Sequence, residues 1–431
     1  MKPAARIQAT IEAVANIFRR PKPADSVLSA FFRSRRYIGS KDRSAIAEQV
    51  YAVLRCHARL GWWTERAGLP HDPRTQVLIW LMLTGTPREA VEALCSGGQY
   101  APPELSPEEF KALGQLAGRT LNHPDMPEAV RLECPEWAEA KLRERLGTHF
   151  AREMEALLES APLDLRVNPV KTGREEAIKI LAGEGIEAEP TPLSPLGLRV
   201  KGRPALASTK AFQSGLVEIQ DEGSQMLALL LDAHPGHQVV DFCAGAGGKT
   251  LAIAAMMQNK GRVIACDVLE RRLERAAERF RRAGLFNIET RALSTERDPW
   301  VKRHKGKFDR VLVDAPCSGV GVWRRNPDAR WRVLGPGLEE LVPLQGSILE
   351  SAARLVKPGG RLVYATCSLL TEENEGRVEK FLALHPEFTL VPYGQDGGRY
   401  LQLTPAVHNT DGFFGAVMVR DKEETPQSAA S

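Results

Sequence analysis

The sequence predicts an α/β protein whose main domain is a doubly wound, mostly parallel sheet. Strand-like and helix-like segments alternate from about residue 226 onward, a glycine-rich turn follows the first of these strands, and two later strands each end beside a cysteine. At 431 residues the chain is too long for one compact core. We therefore expect a helical domain at 1–145, a small α/β subdomain at 146–225, the main domain at 226–420 and a disordered tail at 421–431.

The N-terminal region is predicted to be helical throughout. Apolar residues recur at three- and four-residue spacings in 44–59 and 74–83. A serine, a proline and a glutamate at 106, 107 and 109 match a capped helix start. The adjacent Trp62 and Trp63 could form a recognition platform, although core packing is the commoner role for such residues.

The second region changes to short strands around one helix. Strand-like runs lie at 164–168, 198–200 and 216–219, and 172–184 has a helical pattern. This module either docks a partner or bridges two domains, and the sequence leaves both readings open.

In the main domain, four strand–helix pairs follow one another. Strands are predicted at 239–243, 263–267, 310–314 and 361–366, and helices at 250–258, 269–283, 338–355 and 373–384. Residues 357–360, Lys-Pro-Gly-Gly, are expected to end a helix, and 412–420 to form an antiparallel closing strand.

Composition places the chain among ordinary globular proteins, with 43% hydrophobic and 26% charged residues. The longest apolar run falls far short of the roughly 18 residues of a membrane span, and the N-terminus does not have the pattern of a signal peptide. We expect a cytoplasmic monomer.

Seven scattered cysteines without a C-x-x-C pair argue against disulfides and structural zinc, so no metal is expected. For Cys243 and Cys266 the favoured role is a small buried hydrophobe.

The net charge of +4 alone indicates little about partners, but two basic segments are candidate nucleic-acid contacts. In 271–310 the basic residues alternate with glutamates, which favours a solvated helix face. In 321–332 arginines alternate with tryptophans, and such side chains suit phosphates and unstacked bases. The second segment is the better candidate for RNA contact, with Trp323, Arg324 and Arg325 balanced between that role and ordinary surface.

The glycine-rich turn at 241–250 predicts a nucleotide-type site, because glycines let the backbone approach a ligand and a helix N-terminus offers free N–H groups. A Walker A loop would need glycine where Cys243 stands, and the dinucleotide fingerprint would need it at Thr250. The remaining Gly-x-Gly-Gly form resembles that of methyltransferases that bind S-adenosylmethionine. Asp267, about 20 residues further on at a strand end, can accept both hydroxyls of a ribose.

Two cysteine motifs, Asp314-Ala-Pro-Cys-Ser-Gly319 and Ala365-Thr-Cys-Ser368, are highly specific in combination. They resemble the signatures of RNA cytosine-C5 methyltransferases, the family of the bacterial ribosomal RNA C5-methylases. The resemblance extends from about 160 to 420 and includes the runs 165–169, 219–224, 373–375 and 408–414. The helical N-terminal region resembles the antitermination-factor-like domain of the 16S rRNA methylase B type, and the best local match is at 42–55.

The resemblance implies a Rossmann-like methyltransferase fold, S-adenosylmethionine as cofactor and methylation at C5 of cytidine in RNA. Cys367 would attack C6 of the base, which makes C5 enamine-like, and Cys317 would assist release of the covalent adduct. Asp314 would contact the ring near N3 and N4 and also face the cofactor, and the target base must leave its stack. The implied cofactor-binding residues are Cys243, Ala244, Gly245, Ala246, Gly247, Gly248, Lys249, Asp267 and Asp314.

Two departures from the family pattern stand out. Many members have Ala-Pro-Gly-Gly-Lys in the turn, whereas this chain has Gly245-Ala-Gly-Gly-Lys249. Many also carry a Gly-Asp pair on the third strand that meets the adenine, and Ala292 takes the place of that aspartate, so we assign no residue to this contact.

The preferred substrate is 16S rRNA. Alternatives are a tRNA cytosine-C5 methyltransferase and a non-catalytic ribosome-assembly RNA-binding factor, although two intact cysteines argue against the latter. A small-molecule methyltransferase would have little need for a large helical domain.

Overall fold

The protein is described by a computed structural model that covers residues 1–332, 334–394 and 398–422. The chain divides into two compact units, one comprising Met1–Ser160 with Trp323–Gly335 and the other Ala161–Val322 with Pro336 onward. The predicted disordered tail lies outside the described residues from 423 on.

The first unit is helical. Asp72 and Ser106 each cap a helix by accepting a hydrogen bond from a backbone N–H in the first turn, and at Ser106 the predicted capping box is complete. The predicted helix at 44–59 is wrong at its C-terminal end, because the helix ends at Arg55 and a new helix starts at His57 after Cys56. The helices are α1 (Pro3–Arg19), α2 (Ala24–Ser34), α3 (Ser40–Arg55), α4 (His57–Arg66), α5 (Pro73–Leu83), α6 (Arg88–Leu94), α7 (Pro107–Gln115), α8 (Glu128–Arg131), α9 (Glu136–Leu146) and α10 (Phe150–Ala156).

The tryptophan- and arginine-rich segment belongs from Trp323 on to this helical unit, and several of its side chains are buried. Trp323 is fully buried, and Arg324 and Arg330 are only 2% and 3% exposed. The prediction that this segment is an RNA-contacting surface is therefore wrong for these three residues. Trp63 is likewise buried, with its indole N–H donated to the carbonyl of Leu121 at 2.9 Å, which is a core role.

The second unit begins with a small antiparallel sheet. Its strands are β1 (Leu163–Val167), β2 (Ala188–Pro190), β3 (Gly197–Val200) and β4 (Val217–Ile219), in the spatial order β2-β3-β1-β4. Helices α11 (Arg174–Gly183) and α12 (Lys210–Gln213) accompany them, and apolar residues of α11 and the strands share one core.

A larger mixed sheet follows in the same unit, in the order β10-β12-β9-β8-β5-β6-β7, with β11 paired to β12. The five strands from β9 to β7 are parallel, whereas β12 is antiparallel to its neighbours. The strands are β5 (Gln238–Asp241), β6 (Arg262–Asp267), β7 (Ile288–Ala292), β8 (Phe308–Asp314), β9 (Val356–Thr366), β10 (Phe388–Val391), β11 (Leu401–Leu403) and β12 (Phe413–Arg420). The helices are α13 (Glu222–Leu229), α14 (Gly248–Met256), α15 (Glu270–Ala283), α16 (Pro299–Arg303), α17 (Leu338–Ala353), α18 (Glu375–Leu384) and α19 (Pro405–His408).

This architecture confirms the predicted fold class, including the antiparallel closing strand. One local prediction is wrong: Lys357–Gly360 is part of β9 and does not end a helix. The register between β8 and β9 shifts near Phe308, and Gly359 has a positive φ of 74°, so the strand accommodates the Pro-Gly-Gly run with an irregularity. No helix of the described ranges is long and apolar enough to cross a membrane.

Candidate active site

The order of the parallel strands predicts a ligand site between β5 and β8. From β5 the chain builds outward through β6 and β7 on one side and through β8 and β9 on the other, so the strand order reverses at this point. In open α/β sheets ligands bind outside the carboxyl ends of the strands at such a reversal. The glycine turn follows β5, Asp314 ends β8 and Cys367 follows β9.

The two motif cysteines meet at this edge of the sheet. Cys317 Sγ and Cys367 Sγ lie 3.3 Å apart, and either thiol can donate to the other. Both side chains are half-buried. The hydrogen bond with Cys367, together with burial and nearby negative charge, raises the pKa of Cys317 well above its ordinary value. Cys317 is therefore held as a neutral thiol beside Cys367.

A second pair at the same edge carries opposite charges. Lys249 Nζ lies 2.7 Å from Asp314 Oδ2, and the Lys249 side chain is buried. Burial opposes a charge on Lys249, but attraction by Asp314 and Cys367 outweighs it and raises the pKa of Lys249. The ammonium thus faces both an acid on β8 and the cysteine after β9.

The glycine turn leaves open space where a ligand can approach. Gly245 has a φ of 54°, and a Cβ added there would meet no atom within 4 Å. Gly247 has a φ of 77°, and a Cβ there would lie 2.6 Å from the Phe280 ring, so only glycine fits this close packing of α14 and α15. Between them Ala246 is exposed, while Ala244 is buried and Cys243 and Gly248 are half-buried.

Asp267 ends β6 and shapes the same turn. Its carboxylate accepts hydrogen bonds from the Gly245 N–H at 2.9 Å and the Leu269 N–H at 2.8 Å. Each oxygen retains a free lone pair for a further donor. On the neighbouring strand β7, Ala292 pairs in register with Asp267. Cys266, by contrast, is fully buried in the core, as predicted.

Comparison with known proteins identifies the chain. The family model described as 16S rRNA methyltransferase RsmB/F matches residues 228–419, and that of the RsmF/B-like ferredoxin-like domain matches 134–206. The ribosomal RNA small subunit methyltransferase B of Yersinia pseudotuberculosis is 31% identical over 398 residues, which span 89% of this chain and 92% of that protein. This chain belongs to the RsmB/F family of 16S rRNA methyltransferases.

Solved structures agree with this membership in the RsmB/F family. PH0851 is 28% identical with a TM-score of 0.80, over 97% of this chain and 99% of that one. A methyltransferase homolog from Pyrococcus horikoshii is 28% identical with a TM-score of 0.60, over 69% of this chain and 100% of that one. The protein is thus an RNA methyltransferase of the small-subunit rRNA type, and the resemblance found in the sequence is confirmed.

Two residues of this RsmB/F site were given no role from the sequence. Arg166, on β1 of the small sheet, is buried and donates to the Gly248 carbonyl at 2.8 Å and to Gln220. Arg166 therefore holds the start of α14 against the small sheet. The sequence feature that pointed to Arg166 is the run 165–169, which is part of the family resemblance.

The second residue is Asp241, at the end of β5. Burial raises the pKa of Asp241 to about 7 despite a 2.7 Å hydrogen bond from Thr250.

In the portion of the chain that the structure describes, no group of three or more His, Cys, Asp or Glu side chains could hold a metal ion. The chemistry open to the site is that of two thiols, an acid–ammonium pair and a glycine-lined turn.

Proposed function

We propose that the protein methylates C5 of cytidine in 16S rRNA, with S-adenosylmethionine as the methyl donor. The observation that carries this proposal is the pair of thiols, Cys317 and Cys367, 3.3 Å apart at the carboxyl ends of adjacent parallel strands. An oxygen or ring-nitrogen acceptor needs no thiol nucleophile, whereas C5 of cytosine must first be activated by addition at C6.

The turn and its neighbours fit the proposed cofactor. The open space over Gly245 admits a ligand against the backbone, and Asp267 has lone pairs left for ribose hydroxyls. Oδ1 of the buried Asp241 has no hydrogen-bond partner among the described atoms, so a donor could still be received there. We assign residues 243–249 and Asp267 to cofactor binding, with Asp314 at its border. S-adenosylmethionine, when bound, supplies the methyl group.

Cys367 is the proposed nucleophile. Its Sγ adds to C6 of the flipped cytosine, the C5–C6 double bond opens, and C5 becomes nucleophilic enough to take the methyl group. Asp314, fixed by Lys249, contacts the ring near N3 and N4, where its negative charge favours protonation at N3, and protonation at N3 opens C6 to attack. Attraction by Cys367, as well as by Asp314, raises the pKa of Lys249, so the ammonium is kept beside both side chains.

Cys317 is proposed to end the cycle. Once C5 is methylated, the hydrogen on C5 must leave as a proton, the C5–C6 double bond must re-form, and the Cys367 sulfur must depart with the electron pair of the C–S bond. Cys317 stands 3.3 Å from the departing sulfur, a distance from which it can assist these proton movements. We further propose that the protein acts as a cytoplasmic monomer.

The test is methylation itself. The protein is incubated with labelled S-adenosylmethionine and 16S rRNA, free or in 30S particles, from a strain that lacks the modification, and 5-methylcytidine is mapped by bisulfite sequencing. We expect one methylated cytidine with the wild type and none with Cys367→Ala. In a parallel reaction with tRNA, label in tRNA but not in rRNA would show that tRNA is the substrate. Label in no RNA would overturn the proposal in favour of a non-catalytic assembly factor.

A further inference from the structure

We propose that Glu373 is a positioning residue that fixes the two cysteine-bearing loops against each other. Its side chain is fully buried, and its two oxygens accept four hydrogen bonds. The donors are the Ser318 N–H at 2.8 Å, the Ser318 hydroxyl at 2.5 Å, the Gln345 amide at 2.9 Å and the Ser368 hydroxyl. The inference rests on the proposed function, since it assigns a purpose to the spacing of the two thiols.

Two serines connect the Glu373 carboxylate to the two cysteines. Ser318 and Ser368 directly follow Cys317 and Cys367, and their hydroxyls lie 3.2 Å apart with Glu373 bonded to both. One side chain therefore sets the separation of two loops that are 50 residues apart in sequence. A change at Glu373 would therefore displace both sulfurs, because each cysteine is the direct neighbour of a serine that is bonded to Glu373.

Other bonds hold Glu373 itself in place. The Tyr364 hydroxyl donates to the Glu373 carbonyl at 2.7 Å, and Gln345 also donates to the Pro316 carbonyl at 3.0 Å. The next residue, Asn374, accepts a bond from Thr366 and donates to the Ser368 carbonyl at 2.9 Å. The carboxylate is thus bonded to α17 and to both loops, and the backbone of Glu373 is bonded to β9.

The same contacts exclude a direct role in chemistry. A carboxylate has about four lone-pair sites, and all four are occupied by donors from the protein. With no exposed surface, Glu373 cannot touch the base or the cofactor. Burying a carboxyl group is costly, and no cation pairs with this one in the described parts of the chain, so an apolar residue would have filled the space more cheaply. A carboxylate at this position can accept hydrogen bonds from both loops at once, which an apolar residue cannot do.

The test compares Glu373→Gln and Glu373→Ala with Glu379→Gln as control, because Glu379 lies on α18, just after the turn that holds Glu373, but forms an exposed ion pair with Arg399. Two quantities are measured: the rate at which diamide joins Cys317 and Cys367 in a disulfide, followed by peptide mass spectrometry, and kcat and KM for RNA. We expect Glu373→Ala to slow disulfide formation and to lower kcat by at least tenfold each, with KM changed less than threefold. Glu373→Gln should fall between, and Glu379→Gln should match the wild type.

The thiol measurement uses the protein alone, so it reports on Glu373 even if C5 methylation proves wrong. Unchanged disulfide formation and kcat in a folded Glu373→Ala would overturn the inference. If that variant does not fold, the double variant Ser318→Ala/Ser368→Ala removes two of the same bonds with little change in packing, and wild-type values there would overturn it equally. The effects of this double variant and of Glu373→Gln should not add up when the changes are combined, and additive effects would contradict a shared network.

Discussion

At the scale of single residues, the site depends on groups whose protonation the protein controls. Attraction by Asp314 keeps Lys249 charged in spite of burial, and the bond with Cys367 keeps Cys317 neutral. One of the two adjacent thiols is therefore biased toward remaining protonated while the other faces an ammonium group. This asymmetry is what the proposed division between nucleophile and helper requires.

Asp241 allows a pH prediction with a definite sign. Burial raises its pKa to about 7, so the folded state retains a proton that the unfolded state loses near pH 4. Stability from this group is full below about pH 4 and is lost as pH rises toward 7. Asp241→Asn should therefore gain stability relative to the wild type across that range, by on the order of 1 kcal/mol per pH unit.

Urea unfolding followed at several pH values measures this difference. The exposed variant Glu175→Gln serves as control and should run parallel to the wild type. Parallel curves for Asp241→Asn as well would show that the Asp241 pKa is not raised in the folded protein.

At the scale of elements, the cysteine loops depend on a close contact between two backbone segments. Gly321 donates to the Cys367 carbonyl at 3.0 Å, and the Gly412 N–H donates to the Gly321 carbonyl at 2.8 Å. A Cβ on Gly321 would lie 2.2 Å from the Gly412 carbonyl oxygen, where neither side can yield easily. The loop after β8 is thus seated on the start of β12 and on the loop after β9.

Gly321→Ala should therefore lower methylation at least tenfold by displacing the Cys317 loop, and it should also lower the melting temperature. Gly173→Ala is the matched control, because a Cβ there meets no atom within 4 Å and φ is ordinary. Methylation by Gly321→Ala at the rate of Gly173→Ala would refute the role of this contact.

Periodic elements were predictable, and tertiary contacts were not. The strands and helices of the main domain follow from local apolar patterns, and the cysteines were placed at strand ends because short apolar runs precede them. The 3.3 Å contact between the sulfurs and the bonds of Glu373 join residues 50 and 55 positions apart, which no local pattern encodes. The Pro-Gly-Gly run of β9 misled the prediction because such residues usually interrupt structure, yet a bulged strand can hold them.

At the scale of the whole molecule, the helical unit is assembled from two distant parts of the sequence. The Arg330 guanidinium donates to the Glu133 carbonyl at 2.9 Å and to the Leu157 carbonyl at 2.7 Å, and it lies 5.0 Å from the Trp323 ring centre. Burial lowers the pKa of Arg330 to about 10. Sequence reasoning took this segment for surface, because Arg and Trp suit RNA and their partners lie more than 170 residues away.

Arg330→Ala should destabilise the helical unit by about 3 kcal/mol, because two buried carbonyls lose their donor and a cavity forms. Calorimetric melting compares it with Arg119→Ala, which changes an exposed arginine of the same unit. Equal melting temperatures for the two variants would mean that Arg330 does not anchor the segment.

The covalent step is the centre of the proposed mechanism, and the variant Cys317→Ala isolates it. This variant is incubated with 16S rRNA and S-adenosylmethionine, denatured, digested with nuclease and protease, and analysed by mass spectrometry. The mechanism predicts a stable protein–RNA adduct that carries 5-methylcytidine on the peptide containing Cys367. The absence of an adduct, with turnover at the wild-type rate, or an adduct on any other residue, would contradict it.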